Sequence, residues 1–189
     1  GVAAVRLPLP GRHNVANAAA AAALALAAGA TLDDVVAGLA VAEAVEGRLL
    51  RRESPQGWTL FDDSYNANPG SALAAVATLA LQPGERWLVL GDMGELGPDA
   101  AALHAGIGHA ARAQSIERLY AVGTLAANAA AAFGSAGRIF TDQAALIAAL
   151  RADLHADVSV LVKGSHASHM ERVVDALLDA GTGGDRDVA

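Results

Sequence analysis

The sequence predicts an α/β fold with a doubly wound, mostly parallel sheet, and two observations carry this prediction. Short apolar runs alternate with longer helical segments from about residue 48 to about residue 180. This alternation is typical of parallel strands joined by crossover helices that cover both faces of the sheet. Only 7 of the 189 residues are aromatic, so Leu, Val and Ile must supply most of the core, while Ala lets helices approach closely. We therefore expect five parallel strands in one sheet.

The first part of the chain predicts two helices and no strand. An Ala-rich and Leu-rich segment, Arg12–Ala28, ends at Gly29, a residue typical of helix C-termini. A shorter helix is predicted from Leu32 to about Ala42, with Thr31 as its N-cap and two Asp residues in its first turn. The two helices, residues 12–42, form an apolar pair with no obvious partner in the predicted sheet, as expected of part of another domain.

The remaining elements alternate between strand and helix. Mixed charge in the segment Glu43–Arg52 predicts a connector or an edge strand. Runs of Val, Leu, Ile and aromatic residues predict strands at 58–61, 86–90, 119–122, 138–140 and 158–162. Between them, helices are predicted at 69–81, 99–113, 124–133, 142–154 and 168–178. The polar tail, 181–189, is predicted to be disordered.

Charge and composition exclude several classes of function. The chain has 13 Lys and Arg against 20 Asp and Glu, and a formal net charge of −7 argues against a nucleic-acid-binding surface. It has no Cys, which excludes disulfides and Cys-ligated zinc, and the His spacing indicates no other metal site. No segment is long and hydrophobic enough to span a membrane, and no signal peptide is visible, so we expect a cytoplasmic protein without membrane contact.

Polar residues follow the first predicted parallel strand, at the edge where such sheets bind ligands. The loop at 62–69, DDSYNANP, holds carboxylates, a hydroxyl, a phenol and two amides in succession. Asp62 or Asp63 could hold a ribose hydroxyl or a metal-bound water, and the amides could bind a polar substrate. The alternative is a loop in which these side chains serve only turn bonding and helix capping.

Three further segments place polar residues where a ligand could bind. In GRHNVAN, Asn14 and Asn17 share a helix face and could frame a planar base, although capping by His13 or Asn14 is the alternative. Lys163, the sole Lys of the chain, ends a strand just before Ser165 and suggests an anion site; the alternative is a solvated side chain. GDMGELG, which holds Asp92 and Glu95, is either a turn that a ligand approaches or a flexible loop with capping acids.

Two sequence motifs typical of nucleotide binding give no support for a nucleotide site in these residues. The string at 106–111 matches G-x-G-x-x-A, but it lies inside a predicted helix instead of at a strand–helix turn. No G-x-x-x-x-G-K-[ST] phosphate loop occurs. If the protein uses ATP for catalysis, we expect the phosphate loop to lie outside these residues.

Taken together and in order, the motifs resemble the Mur ligase family. The matching segments are GRHNVANAAAAAALAL, Gly47-Arg48-Leu49, DDSYNANPGS, VLGDMGELG with the following Leu103-His104, and VLVKGS followed by MERVV. The resemblance implies that residues 1–46 end a central ATP-binding ligase domain and that residues 47–180 form a Rossmann-like C-terminal domain. It also implies a ligase that uses ATP and Mg²⁺ to activate a carboxylate as an acyl phosphate, which an amine then attacks.

DDSYNANP combined with GDMGELG favours the branch of the family that joins D-alanyl-D-alanine to UDP-N-acetylmuramoyl-tripeptide in peptidoglycan precursor synthesis. The implied partners are ATP, these two substrates and the missing N-terminal and central domains, in an enzyme that is monomeric at full length. The fragment alone is expected to be inactive, since it lacks the phosphate loop. Two alternatives stay open: a stand-alone nucleotide- or peptide-binding module without catalysis, and another amide ligase of the Mur and folylpolyglutamate family.

The resemblance also implies roles for individual residues. Catalytic roles are implied for Arg48, Asp63 and Lys163. Contacts with ATP are implied for Asn14 and Asn17 on the adenine side, for Arg48 from the interdomain hinge, and for Asp63 at the ribose or an ordered water. Substrate contacts are implied for Tyr65, Asn66, Asn68, Lys163 and Ser165.

One position departs from the family pattern. Relatives often carry Arg directly after KGS, whereas this chain has His166. If a positive charge there binds the carboxylate of the dipeptide, dipeptide binding by this protein should depend on pH, because histidine changes its charge in mildly acidic to neutral solution.

Overall fold

The structure, a computed structural model, describes residues 1–9, 11–43 and 45–179. Contacts within the chain divide it into two compact units, Gly1–Val45 and Glu46–Ala189. The tail at 181–189, predicted to be disordered, lies outside the described residues. In the described part of the chain, no helix combines the length and apolar character that a membrane crossing requires.

The first unit contains two helices, α1 (Arg12–Ala27) and α2 (Leu32–Ala40). Thr31 caps α2 as predicted: its hydroxyl accepts a hydrogen bond from the Asp34 N–H at 3.2 Å, and the Asp34 carboxylate accepts one from the Thr31 N–H at 2.9 Å. Gly11 occupies the N-cap position of α1, and the two residues considered for capping, His13 and Asn14, lie in the first turn.

The second unit is built on a six-stranded sheet with the order β1-β2-β6-β3-β4-β5. The strands are β1 (Leu50–Glu53), β2 (Thr59–Asp63), β3 (Glu85–Gly91), β4 (Arg118–Val122), β5 (Gly137–Phe140) and β6 (Val158–Lys163). Strands β2 to β6 are parallel, which confirms the five predicted parallel strands. The segment predicted as a connector or an edge strand supplies β1, which pairs antiparallel with β2 at the sheet edge.

Helices cover both faces of this sheet, so the doubly wound fold is confirmed. They are α3 (Pro69–Leu79), α4 (Ala100–Ala113), α5 (Ala126–Phe133), α6 (Gln143–Asp153) and α7 (Glu171–Asp179). Side chains of α3, α4 and α5 form one buried cluster with Leu88 and Leu90 of β3. Side chains of α6 and α7 form the other with Trp87 and Val89 of the same strand. Successive strand residues point to opposite faces, so residues 87–90 of β3 are apolar and buried on both faces.

The last helix begins later than the sequence predicts. It was expected at Ser168 but starts at Glu171. The preceding residues, His166–Ser168, form a turn of 3₁₀ helix, and His169 has a left-handed backbone with φ of 49°. A left-handed residue cannot continue a right-handed helix, so the α-helix restarts after it.

A charge pair joins the starts of β3 and β4. Both the Arg86 N–H (2.7 Å) and the Arg86 guanidinium donate hydrogen bonds to the Glu117 carboxylate. Burial opposes ionisation of Glu117, but these hydrogen bonds outweigh it and hold the pKa of Glu117 below its usual value. The pair therefore stabilises the fold above the pKa of an unfolded Glu, and this stabilisation is lost as the pH falls through the lower pKa of the folded state.

We expect Glu117→Gln to lower the free energy of unfolding at neutral pH by about 1 kcal/mol, a value reduced for solvent screening. The discount applies because 35% of the Glu117 side chain is exposed. Urea denaturation at several pH values measures the effect. The difference between variant and wild type should shrink in acid, and a difference that stays constant with pH would contradict the assignment.

Candidate functional site

The carboxyl ends of the parallel strands bring most of the predicted site residues to one edge of the second unit. Cα atoms of Asp63 and Lys163 are partners at the ends of β2 and β6. The loop 64–68 follows β2, and the segment 164–170 follows β6. In a doubly wound sheet this edge is where ligands bind, because strand ends and helix N-termini meet there.

Lys163 lies beneath this edge in a buried ion pair. Its ammonium donates to the Asp63 carboxylate at 2.6 Å and to the Asn66 carbonyl at 2.9 Å. Only 2% of the Lys163 side chain is exposed, against 16% for Asp63. A charge this deeply buried needs such a partner to offset its lost hydration. Lys163 therefore orients Asp63 and the DDSYNANP loop, and the alternative of a solvated Lys side chain is wrong.

The two acidic residues of the loop have different surroundings. Asp62 is buried and accepts hydrogen bonds from the Ser64 hydroxyl at 2.6 Å, the Ser64 N–H at 3.1 Å and the Gly47 N–H at 3.1 Å. These bonds occupy both carboxylate oxygens and tie the Gly47 turn to the loop. Of the two candidates for a ribose contact, Asp63 is thus the one at the ligand edge.

Arg48 and Tyr65 form a stacked pair. The guanidinium carbon of Arg48 lies 4.6 Å from the centre of the Tyr65 ring, within the range of a cation–π contact. The turn permits this approach because Gly47 has a positive φ of 71° and a Cβ there would lie 2.9 Å from the Tyr65 Cβ. The His166 ring centre lies 6.1 Å from that of Tyr65, and the Tyr65 side chain is half exposed. The pair offers a flat, positively charged surface, suited to an anionic or planar ligand.

The amides of the loop are engaged in local structure, as the capping alternative predicts. The Asn68 side chain caps α3 by accepting the Ser71 N–H at 2.8 Å, and the Ser71 hydroxyl accepts the Asn68 N–H at 3.0 Å. The Asn66 side chain accepts the Ala67 N–H at 2.8 Å. Both Asn residues are exposed at the ligand edge, so capping and a ligand contact are compatible.

The two Asn residues of the GRHNVAN motif lie in the first unit, apart from the other candidates in sequence. Asn17 donates to the side-chain oxygen of Asn14 at 3.1 Å. The two amides therefore share one face of α1, as their spacing predicts.

Asp92 of GDMGELG organises this edge of the sheet and caps a helix, as the alternative of capping acids allows, although the sequence does not indicate which helix. Its carboxylate accepts the N–H groups of Leu125 (3.0 Å) and Ala126 (2.7 Å) at the start of α5. Its carbonyl accepts the Ser165 N–H and the Ser168 hydroxyl, both at 2.8 Å. Asp92 thereby links the ends of β3, β4 and β6. An Asp directly after a buried strand was the available signal, but its partners are distant in sequence.

Ser165 is held within the same network. It is buried, and its hydroxyl lies 3.0 Å from that of Ser168. Among the residues that the structure describes, no three His, Asp or Glu side chains are grouped as a metal ion would need.

Comparison with known proteins matches residues 47–166 to the family described as Mur ligase, glutamate ligase domain. Over 180 residues the chain is 49% identical to the UDP-N-acetylmuramoyl-tripeptide–D-alanyl-D-alanine ligase of Escherichia coli (strain K12), covering 94% of this chain and 40% of the relative. A crystal structure of MurF from Acinetobacter baumannii superposes with a TM-score of 0.84 at 37% identity, over 93% of this chain and 39% of that one.

A second solved structure carries a nucleotide in its name. The MurF ligase from Thermotoga maritima in complex with ADP has a TM-score of 0.79 at 26% identity, over 93% of this chain and 40% of that one. The chain spans about 40% of the length of the Escherichia coli ligase.

Proposed function

Because the chain belongs to the Mur ligase family, we propose that it is the C-terminal part of the ligase that joins D-alanyl-D-alanine to UDP-N-acetylmuramoyl-tripeptide. Residues 1–46 would end the central ATP-binding domain, and residues 47–180 would be the C-terminal domain. The full-length enzyme would act as a cytoplasmic monomer in peptidoglycan precursor synthesis, a process that supports cell shape and division.

The observation that carries this proposal is the contact between DDSYNANP and VKGS. Lys163 pairs with Asp63 and the Asn66 carbonyl, which holds the first motif against the second at the ligand edge. Beside them, Arg48 and Tyr65 present a cation on an aromatic ring. This edge can bind an anionic substrate and hold its reacting groups in position. The identity of 49% to a ligase named for D-alanyl-D-alanine supports that substrate over the folylpolyglutamate alternative.

The proposed reaction has two steps. The tripeptide carboxylate takes the terminal phosphate of ATP, and the amine of D-alanyl-D-alanine then attacks the acyl phosphate. A tetrahedral intermediate collapses to the amide and releases phosphate, with ADP as the other product. We assign Asn14, Asn17, Arg48 and Asp63 to the nucleotide, and the nucleotide named in the Thermotoga maritima structure supports ATP as the cosubstrate. Tyr65, Asn66, Asn68, Lys163 and Ser165 are assigned to the dipeptide side.

Mg²⁺ would neutralise the phosphate charges in this reaction. The described residues contain no group of three His, Asp or Glu side chains placed to hold a metal ion, and we assign no Mg²⁺ ligand to this chain. Because the sequence holds no G-x-x-x-x-G-K-[ST] motif, the phosphate loop would lie on another part of the full-length enzyme. The 189 residues alone should then not turn over ATP.

Phosphate release tests the proposal directly. The chain and its full-length parent are each given ATP, Mg²⁺, the UDP-linked tripeptide and D-alanyl-D-alanine. We expect sustained phosphate release from the full-length protein only. In a second assay, glutamate and a folate acceptor replace D-alanyl-D-alanine and the UDP-linked tripeptide. Faster turnover with glutamate and folate would favour the folylpolyglutamate alternative. Sustained release by the 189-residue chain would refute its proposed inactivity.

The mass of the native protein tests the binding-module alternative. An antibody raised against this chain would detect it in source cells. A native mass well above 18.9 kDa supports attached upstream domains, whereas a native mass of 18.9 kDa favours a stand-alone module.

His166 gives the proposed dipeptide site a dependence on pH. The exposed imidazole lies beside Tyr65, and its protonated form would attract the dipeptide carboxylate. We expect the KM of the full-length enzyme for D-alanyl-D-alanine to rise from mildly acidic to alkaline pH. His166→Arg keeps the charge and should flatten this profile. Identical profiles for wild type and variant would show that His166 does not bind the carboxylate.

A further inference from the structure

A single peptide group connects the ligand edge to the buried side of α4. The Met93 N–H donates to Nε2 of His104 at 2.8 Å. On the other side of that peptide group, the Asp92 carbonyl accepts the Ser165 N–H and the Ser168 hydroxyl. A peptide group is planar, so the side chain that holds its N–H also sets the direction of its C=O.

The hydrogen bonds of His104 define its tautomer. The ring is fully buried, and its Nδ1 lies 2.7 Å from the Ala100 carbonyl oxygen. A carbonyl oxygen only accepts, so Nδ1 carries the proton. The Met93 N–H only donates, so Nε2 carries none. His104 is therefore a neutral imidazole with both nitrogens engaged.

The segment Lys163–Ser165, which donates a hydrogen bond to the Asp92 carbonyl, has little freedom to move. Lys163 at its start is held by Asp63, and Ser165 at its end is held by Asp92. Between them, a Cβ at Gly164 would lie 2.5 Å from the Met170 side chain and 3.3 Å from the Gly91 Cα. A change in the direction of the Asp92 carbonyl must therefore be taken up by the segment Lys163–Ser165.

We propose that His104 is a positioning residue that sets the conformation of the segment Lys163–Ser165 through the Asp92–Met93 peptide group, and with it the placement of Asp63 at the ligand edge. Its effect on catalysis rests on the proposed function. Its effect on the conformation of the segment does not, so the two can be tested separately.

Two substitutions separate the effects of the two His104 hydrogen bonds, because each variant keeps one bond and loses the other. In His104→Asn the side-chain N–H₂ can still donate to Ala100, but the shorter side chain loses the acceptor for Met93. In His104→Gln the longer side chain keeps an oxygen acceptor for Met93 and loses the bond to Ala100. Only the first variant should release the peptide group.

Amide hydrogen exchange, measured by NMR on the 189-residue chain, reads out the coupling. In His104→Asn we expect the Ser165 amide to exchange about tenfold faster, relative to the Leu125 and Ala126 amides. Those two amides bond the carboxylate of the same Asp92 and are the matched control. His104→Gln should restore slow exchange at Ser165. Equal acceleration of all three amides, or none at Ser165, would overturn the proposal.

A measurement on the unchanged chain covers the case in which His104→Asn does not fold. A scalar coupling between the Met93 nitrogen and His104 Nε2 reports the hydrogen bond directly, and ¹⁵N shifts of the ring report the tautomer. We expect the coupling together with a proton on Nδ1. A proton on Nε2 would overturn the proposal.

The catalytic consequence is tested in the full-length protein. His104→Asn should raise the KM for D-alanyl-D-alanine about tenfold, whereas the KM of His104→Gln should stay close to that of the wild type. His109→Asn is the control, because His109 is exposed on the same helix. An unchanged KM in an active ligase would overturn the catalytic half of the inference. Absence of ligase activity in the wild type would refute the proposed function and leave the exchange result standing.

Discussion

Lys163→Met is expected to lower the free energy of unfolding of the chain by about 3 kcal/mol. The ammonium that this change removes is 2% exposed and pairs with an Asp63 carboxylate that is 16% exposed. Without the ammonium, the Asp63 carboxylate keeps its charge in a mostly buried position with little hydration, which destabilises the folded state. The Asn66 carbonyl also loses a hydrogen-bond donor. Urea denaturation of the variant and the wild type measures the difference.

The double variant Asp63→Asn, Lys163→Met is the matched control. It removes the uncompensated carboxylate, so most of the lost stability should return. In the full-length enzyme, by contrast, both the single and the double variant should have much lower ligase turnover than the wild type, because both lack the ion pair assigned to the ligand edge. A double variant as unstable as the single one would contradict the ion-pair explanation. A stable and fully active Lys163→Met enzyme would contradict the proposed role of the pair.

Gly108→Ala is expected to destabilise the second unit by about 3 kcal/mol, near the upper end for overpacking. Helix α4 crosses α5 so closely that a Cβ at Gly108 would lie 2.0 Å from the Ala129 carbonyl oxygen. Backbone atoms cannot turn aside as a side chain would, so the two helices must separate. The midpoint of urea denaturation measures the loss.

Gly106→Ala on the same helix provides the control. Apart from the adjacent backbone of α4, no described atom lies within 4 Å of a Cβ at Gly106, and Ala favours helix over Gly by about 1 kcal/mol. This variant should therefore be stabilised, opposite in sign to Gly108→Ala. Shifts in the same direction would contradict the packing explanation. The pair also explains the G-x-G-x-x-A string at 106–111: at least its second Gly serves helix packing.

The predictable part of the site consisted of residues whose role depends on sequence neighbours. Asn14 and Asn17 share a helix face because they are three residues apart, and Asn68 caps α3 because Pro69 follows it. The residue pattern alone left the choice between Asp62 and Asp63 open, and only the family resemblance implied Asp63. The physical distinction depends on which carboxylate bonds the Gly47 turn, and that is a tertiary contact. The partners of Asp92 and His104 were not predictable for the same reason, as each bonds groups outside its own helix or strand.

By itself, the sequence determined the alternation of strands and helices, the cap at Thr31 and the location of the polar loops at the strand ends. These features follow from side-chain periodicity and from hydrogen bonds over a few residues, which are local properties. Only the tertiary structure decided that β6 lies between β2 and β3, and hence that Lys163 meets Asp63, a residue 100 positions away. Strand order and register arise from packing of the whole sheet, so no local pattern encodes that contact.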